Sequence, residues 1–149
     1  MKIVIGSDHA GFSTKETIKS LLRETSEKPE ILDCGSYTEE SCDYPDFAHK
    51  VALEVSSGKA DFGILACTTA NGVAMAANKH LKVRAAICWL QELAFLARSH
   101  NDANLLCIPS RFVVDGELKK IVKSFLETPF EGGRHQRRRD KIDVLDATP

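Results

Sequence analysis

A cysteine at position 67 closes the apolar run Phe62-Gly63-Ile64-Leu65-Ala66. A small polar turn follows, Thr68-Thr69-Ala70-Asn71-Gly72, and then a run that reads as helix. In parallel α/β proteins ligands bind outside the carboxyl ends of the strands. A thiol there sits beside the N–H groups of a helix start, which stabilise negative charge. Such a group suits a general base or nucleophile next to a hole for a developing oxyanion, and the helix is expected to lower its pKa. The competing reading is a small core residue. Cysteine-dependent phosphatases set an arginine six residues after the nucleophile, and here that residue is Val73.

Other groups could join Cys67. Asp8 and His9 end the first apolar run, on the same edge of the expected sheet, where a histidine could hold phosphate or a sugar hydroxyl. An Asp-His turn can equally satisfy its own backbone. His100, Asn101, Asp102 and Asn104 form a second polar knot. A histidine beside a carboxylate can exchange protons near neutral pH, although capping chemistry uses the same residues. Arg134 and Arg138 lie four apart on one helical face and could clamp a phosphate, or form a solvated basic face. Arg111 is a further anion candidate, and Tyr44 beside Pro45 reads equally well as packing.

These residues need elements to place them. Lys2–Gly6 reads as a buried strand, and Ser13-Thr14-Lys15-Glu16 as the capping box of a helix bearing Ile18, Leu21 and Leu22. Glu30–Cys34, Phe62–Cys67, Val83–Cys88 and Asn104–Ile108 supply four more strands. Helices follow from Pro45 to Gly58, after Cys67, from Leu90, and from a cap at Asp115, and a polar helix is expected over about 134–146. Strands alternate with helices, which predicts a Rossmann-like three-layer α/β sandwich: a five-stranded parallel sheet, helices on both faces, right-handed crossovers and a C-terminal helical tail. Neither G-x-G-x-x-G nor a P-loop motif is present, which argues against NAD, FAD and ATP.

At 149 residues the chain fits one domain, 1–149, able to bury a core without metal or disulfide. Net charge is −1, so no global field draws it to nucleic acid. Five cysteines without a C-x-x-C pair argue against a disulfide framework or zinc knuckle. No apolar run approaches the roughly 20 residues that span a bilayer, and the N-terminus turns polar too early for a signal peptide. No membrane or nucleic-acid partner and a cytoplasmic location are therefore expected.

The fragments GSDHAG (6–11), DYPDFA (43–48), GILAC (63–67), AANK (76–79), VRAAIC (83–88), SHNDAN (99–104), SR (110–111) and GGRHQRR (132–138) together resemble the type B ribose-5-phosphate isomerase family, which includes the subunits of galactose-6-phosphate isomerase. The resemblance covers nearly the whole chain. It implies an aldose–ketose isomerase of the pentose phosphate pathway that works through a cis-enediol with no metal or cofactor. It also implies a homodimer, often paired into a tetramer, whose active sites are shared between subunits, with the tail from about 132 packing on the partner. By resemblance Cys67 moves the proton between C1 and C2, while Asp8 and His100 help open the furanose ring. Thr69 lies against the reacting end and Asn101 binds hydroxyls. His9, Arg111, Arg134 and Arg138 hold the phosphate.

Physical chemistry adds the backbone N–H groups of Thr68, Thr69, Ala70, Asn71 and Gly72 as donors to the enediolate, each such donor being worth about 3 kcal/mol. The same loop departs from the family pattern, Gly-Thr-Gly-hydrophobic-Gly: Thr68 and Ala70 replace glycines and Asn71 a hydrophobic residue. Pro109 also stands where glycine is usual. Three further readings therefore stay open: another sugar phosphate such as allose or galactose 6-phosphate, a non-catalytic sugar-phosphate binder, and a nucleic-acid module built on the arginine tail.

Overall fold

The apolar β-branched runs form the interior of a single parallel sheet in the computed structural model, which describes residues 1–143. The strands are β1 (Lys2–Ser7), β2 (Glu30–Asp33), β3 (Phe62–Cys67), β4 (Ala85–Ile87) and β5 (Leu105–Pro109), in the order β2-β1-β3-β5-β4. The central strands β1, β3 and β5 are buried on both faces, as their near-continuous apolar runs require.

Alternate residues feed two cores. Ile3, Ile5, Ile64, Leu106 and Ile108 pack under helices α1 (Phe12–Glu24), α4 (Gln91–Asn101) and α5 (Asp115–Glu127), with Phe125 fully buried among them. Val4, Leu65, Leu105 and Cys107 face α2 (Tyr44–Ser56) and α3 (Asn71–Ala77) on the other side. The expected three-layer sandwich is therefore present, and a short α6 (Arg134–Arg139) packs on α4.

Several boundaries differ from the sequence expectation. The first helix is not capped at Ser13. Asp8 instead caps a 3-10 turn, His9–Gly11, with its carboxylate accepting from the Gly11 N–H, and this turn runs directly into α1. The chain turns here because Gly11 lies on the backbone of β3, where a Cβ would come within 2.1 Å of the Ala66 carbonyl oxygen. Val114, not Asp115, occupies the cap position of α5. The tail helix ends at Arg139, residues 140–143 form turns, and the rest of the expected helix lies outside the described residues.

The expected capping-box lysine has a different task. The Lys15 side chain is fully buried and donates to both carboxylate oxygens of Asp33 at 2.8 Å and to the Ser36 carbonyl at 2.7 Å. Lys19 and the Gly35 N–H also reach Asp33. Burial pushes the Asp33 carboxyl up, but these donors outweigh it and hold the group below the ordinary carboxylate range. The bonds pin the loop after β2, which carries Cys42 toward His9. Lys15→Met removes one partner of a largely buried pair, and urea denaturation is expected to show a loss of about 3 kcal/mol. An unchanged midpoint would show that the ion pair adds nothing.

Candidate active site

The carboxyl edge of the sheet gathers the first group of candidates. Cys67 ends β3 and Asp8 follows β1, the neighbouring strand in register. Their side chains touch, the Cys67 thiol donating to Asp8 Oδ2 at 2.8 Å. Asp8 Oδ1 meanwhile accepts the Gly11 N–H at 2.9 Å. One buried carboxylate therefore caps the turn, as an Asp-His turn can, and also holds the sulfur.

The thiol's electrostatics correct an expectation. The helix start was to lower its pKa, yet the group is raised to about 11. Burial is the largest cause, followed by the hydrogen bond and the charge of Asp8. Amides of Ala70 and Thr69 pull the other way and are outweighed. At neutral pH the resting pair is a neutral thiol against a carboxylate. The amides lie where a negative sulfur or oxygen would be stabilised.

The turn after Cys67 keeps a tight shape without its usual glycines. Ala70 sits at φ +61° and is fully buried just ahead of α3. At Gly72 a Cβ would come within 2.5 Å of the outer end of the Tyr44 ring, so any larger residue there would displace that ring. Tyr44, half-exposed, thus packs over one side of the loop. Thr69 and Asn71 are exposed, and Thr68 is half-buried.

Two anion candidates share this edge. His9 accepts the Cys42 N–H at Nδ1, 3.2 Å, so the neutral ring carries its hydrogen on Nε2, free to donate to a ligand. The Arg111 N–H donates to the Thr68 carbonyl at 3.3 Å, setting this exposed arginine beside the turn that follows Cys67.

The second group lies at the other end of the sheet. His100 and Asn101 close α4, which leads into the amino end of β5, whereas Cys67 pairs with Pro109 at the carboxyl end. Four residues of extended chain, roughly 13 Å, separate the two edges. Arg134 and Arg138 belong to α6, which packs on α4, and are exposed. Within one chain these four residues do not meet Cys67.

The carboxylate expected beside His100 also changes. Asp102 binds arginines, while Glu131 faces His100 at 3.9 Å and His135 at 3.8 Å. The His100 and His135 rings stack with centroids 4.2 Å apart and planes within 7°. Burial lowers the His135 pKa, with His100 and Arg134 adding to the shift. Glu131 and His135 were missed in the sequence because their pairing with His100 spans a loop with no fixed spacing. These three offer ligand atoms within 4.8 Å of one another, wider than the roughly 3.3 Å of ligands around a tetrahedral ion. The rings are parallel, so their lone pairs do not converge on one point. The geometry does not suit a metal cage.

Known proteins share this arrangement of sheet, turn and tail. The ribose/galactose isomerase family model matches residues 3–142. Ribose-5-phosphate isomerase B of Escherichia coli is 42% identical over 145 residues, covering 97% of this chain and 96% of the relative. A crystal structure of ribose 5-phosphate isomerase from Thermotoga maritima superposes with a TM-score of 0.92 at 49% identity, covering 97% of this chain and 98% of that one. Ribose-5-phosphate isomerase B from Mycoplasma genitalium, crystallised with bound ribulose-5-phosphate, gives a TM-score of 0.89 at 48% identity, covering 95% and 93%. Matched along almost its full length by both sequence and fold, this chain belongs to the ribose/galactose isomerase family.

Proposed function

We propose that this protein interconverts ribose 5-phosphate and ribulose 5-phosphate through a cis-enediol, within the pentose phosphate pathway. The observation that carries the reading is the Cys67–Asp8 pair at the carboxyl edge, with the Thr69 and Ala70 amides directed at the sulfur. The Mycoplasma genitalium relative, crystallised with ribulose-5-phosphate, supports the choice of sugar.

Ring opening requires one proton to leave the anomeric hydroxyl and one to reach the ring oxygen. Asp8 takes the first and His100 supplies the second; His100 then recovers a proton from Asp8. The carbon step requires the sulfur without its proton, and Asp8 Oδ2, at 2.8 Å, is the acceptor. The thiolate takes the proton from C2, and the C1 oxygen, now an enediolate, gains the hydrogen bonds of the turn. The C2 hydroxyl proton passes to the adjacent cis C1 oxygen, and the sulfur returns its proton to C1. This leaves the carbonyl at C2 and lets the thiolate recover the proton held on Asp8. Thr69 lies against this end of the sugar. The phosphate is held by His9 with Arg111, Arg134 and Arg138, and Asn101 binds hydroxyls. Phosphate binding far from the carbons fixes them against the base.

The separation of the two groups across the sheet supports a shared site. A second protomer brings His100, Asn101, Arg134 and Arg138 to the first protomer's Cys67, giving a homodimer or a pair of dimers. Domain 1–149 is then the catalytic unit and α6 an arm toward the partner. A cytoplasmic location suits this metabolism; among the described residues no helix is long and apolar enough to cross a membrane.

The altered turn bears on the sugar accepted. Ala70 keeps the left-handed backbone that glycine would adopt, and the amides still point at the sulfur, which favours turnover over a non-catalytic binder. The added side chain of Thr68, half-buried in the turn, narrows it and favours a pentose over a hexose phosphate. A panel of ribose, allose and galactose phosphates is expected to rank ribose 5-phosphate first by kcat/KM. A hexose phosphate ranking first would overturn the substrate assignment.

Three measurements test the mechanism. Cys67→Ala is expected to lower kcat about 10³-fold in a coupled assay while calorimetry shows ligand binding retained; wild-type turnover would remove the sulfur as base. Mixing Cys67→Ala with His100→Ala protein through reversible unfolding is expected to restore about a quarter of wild-type activity, since each hybrid dimer regains one intact site. No recovery would mean that one chain supplies both groups. Because the folded thiol's pKa of about 11 exceeds its ordinary 9.0, Cys67 contributes stability below pH 9 that is lost as pH rises through 11. Its iodoacetamide reaction, followed by peptide mapping, is therefore expected to be slow at pH 7 and to accelerate in Asp8→Asn. Equal rates in both proteins would show that Asp8 does not hold the thiol protonated.

A further inference from the structure

Asp102 has a backbone that suits another residue. It closes α4 in the left-handed region, φ +49° and ψ +41°. Its N–H donates to the Arg98 carbonyl at 3.1 Å, and the Ala103 N–H donates to the Ala97 carbonyl at 3.0 Å. This pair of bonds is the helix ending that glycine fills without strain. An aspartate held there signals a task for the side chain.

That side chain joins three segments. Oδ1 accepts from Arg98 Nη1 at 2.9 Å. Oδ2 accepts from Arg84 Nη2 at 3.1 Å and from Arg139 Nη1 at 3.0 Å. Arg98 lies two residues before His100 on α4. Arg139 lies one residue past Arg138 on α6, where its guanidinium also stacks over the Phe130 ring at 5.1 Å and binds Asp140. Arg84, just ahead of β4, adds a bond from Nε to the Asp102 carbonyl at 2.8 Å. The carboxylate is mostly shielded from water, with 21% of the side chain exposed, so these charge-assisted bonds are weakly screened.

We propose that Asp102 is the positioning residue that locks α6 to the end of α4, so that His100 and Asn101 meet the sugar at a fixed distance from the arginines that grip its phosphate. The proposal rests on the isomerase reading above. A ligand held at both ends is sensitive to that distance, and an error of about 1 Å is costly to the reaction. The His100–His135 stack and the bond from the Glu131 N–H to the Ser99 carbonyl hold the near end of α6 against α4, and Asp102 adds the charged link that reaches Arg139 at its far end.

A capping role and a positioning role are separated by Asp102→Gly. Glycine relieves the backbone and preserves the cap while deleting the clamp. The variant is expected to fold with wild-type circular dichroism yet raise KM for ribose 5-phosphate about tenfold. Arg139→Met, which cuts only the α6 arm, is expected to raise KM similarly with kcat within about twofold of wild type. The double variant is expected to match the larger single effect, since both remove one link. Arg138→Ala is the control for the phosphate reading and is expected to raise KM by at least as much. A wild-type KM in Asp102→Gly alongside a raised KM in Arg138→Ala would overturn the clamp and leave the isomerase site standing. Additive effects in the double variant would overturn it as well. If Asp102→Gly failed to fold, an unchanged KM in Arg139→Met would be sufficient refutation. Unchanged KM in Arg138→Ala would bring down the phosphate site and the clamp together.

Discussion

The contact between the Cys67 thiol and the Asp8 carboxylate, 2.8 Å across the ends of two adjacent strands, depends on an unusually close packing of backbone. Asp8 can reach the sulfur only because the turn behind it lies on β3, and that approach requires Gly11, since a Cβ would overlap the Ala66 carbonyl. The same Gly11 N–H occupies Asp8 Oδ1 and leaves Oδ2 to the thiol. Removing this geometry would cost the first helix its start and the sulfur its partner together. The parallel register of β1 and β3 then does the rest, by bringing both strand ends to one edge.

Two opposing effects meet at that sulfur. Burial and the adjacent carboxylate favour the neutral thiol, whereas the amides of the turn favour negative charge, and in the free protein the former prevail. A base protonated at rest is still useful when its proton has somewhere to go, and in the proposed mechanism Asp8, which adds to the shift that burial begins, is the acceptor. A ligand that fills the pocket excludes water and strengthens every fixed dipole around the developing charge. The amides therefore matter more in the transition state than in the resting protein, where differential stabilisation is most effective.

Much of this was legible in the order of residues. Buried strands were readable because β1, β3 and β5 are apolar on both faces, and the placement of Cys67, Asp8 and His9 on one edge followed from parallel topology. Short-range chemistry was less legible. Ser13-Thr14-Lys15-Glu16 has the form of a capping box, but the side-chain cap is made by Asp8, four residues before Phe12, on the 3-10 turn that runs into α1. Lys15 was read only as part of that box, because nothing local announces that Asp33, eighteen positions away, will neutralise it. The pKa direction of Cys67 was misjudged because a helix start is visible in sequence and the depth of burial is not. For His100 the nearest carboxylate along the chain, Asp102, was the wrong one: helical geometry turns it toward Arg98, four residues back, and the loop returns Glu131 instead.

Ala70 and Asp102 share a property that links the two ends of the molecule. Each holds a left-handed backbone that glycine adopts freely, and each stands next to a residue of the reaction or of its support. Such conformations cost a non-glycine residue on the order of 1 kcal/mol and persist where the surroundings determine them. At Ala70 the determinant is packing: the residue is fully buried against the α2–α3 core, so the turn is rigid without glycine. At Asp102 it is charge: three guanidinium groups converge on one carboxylate. A glycine at either place would relieve the backbone and widen the range of shapes open to the loop. The strained residues narrow that range, which is what the proposed site must do if Cys67, Asp8, His9 and Arg111 on one edge are to share one small sugar with His100, Asn101, Arg134 and Arg138 from the other.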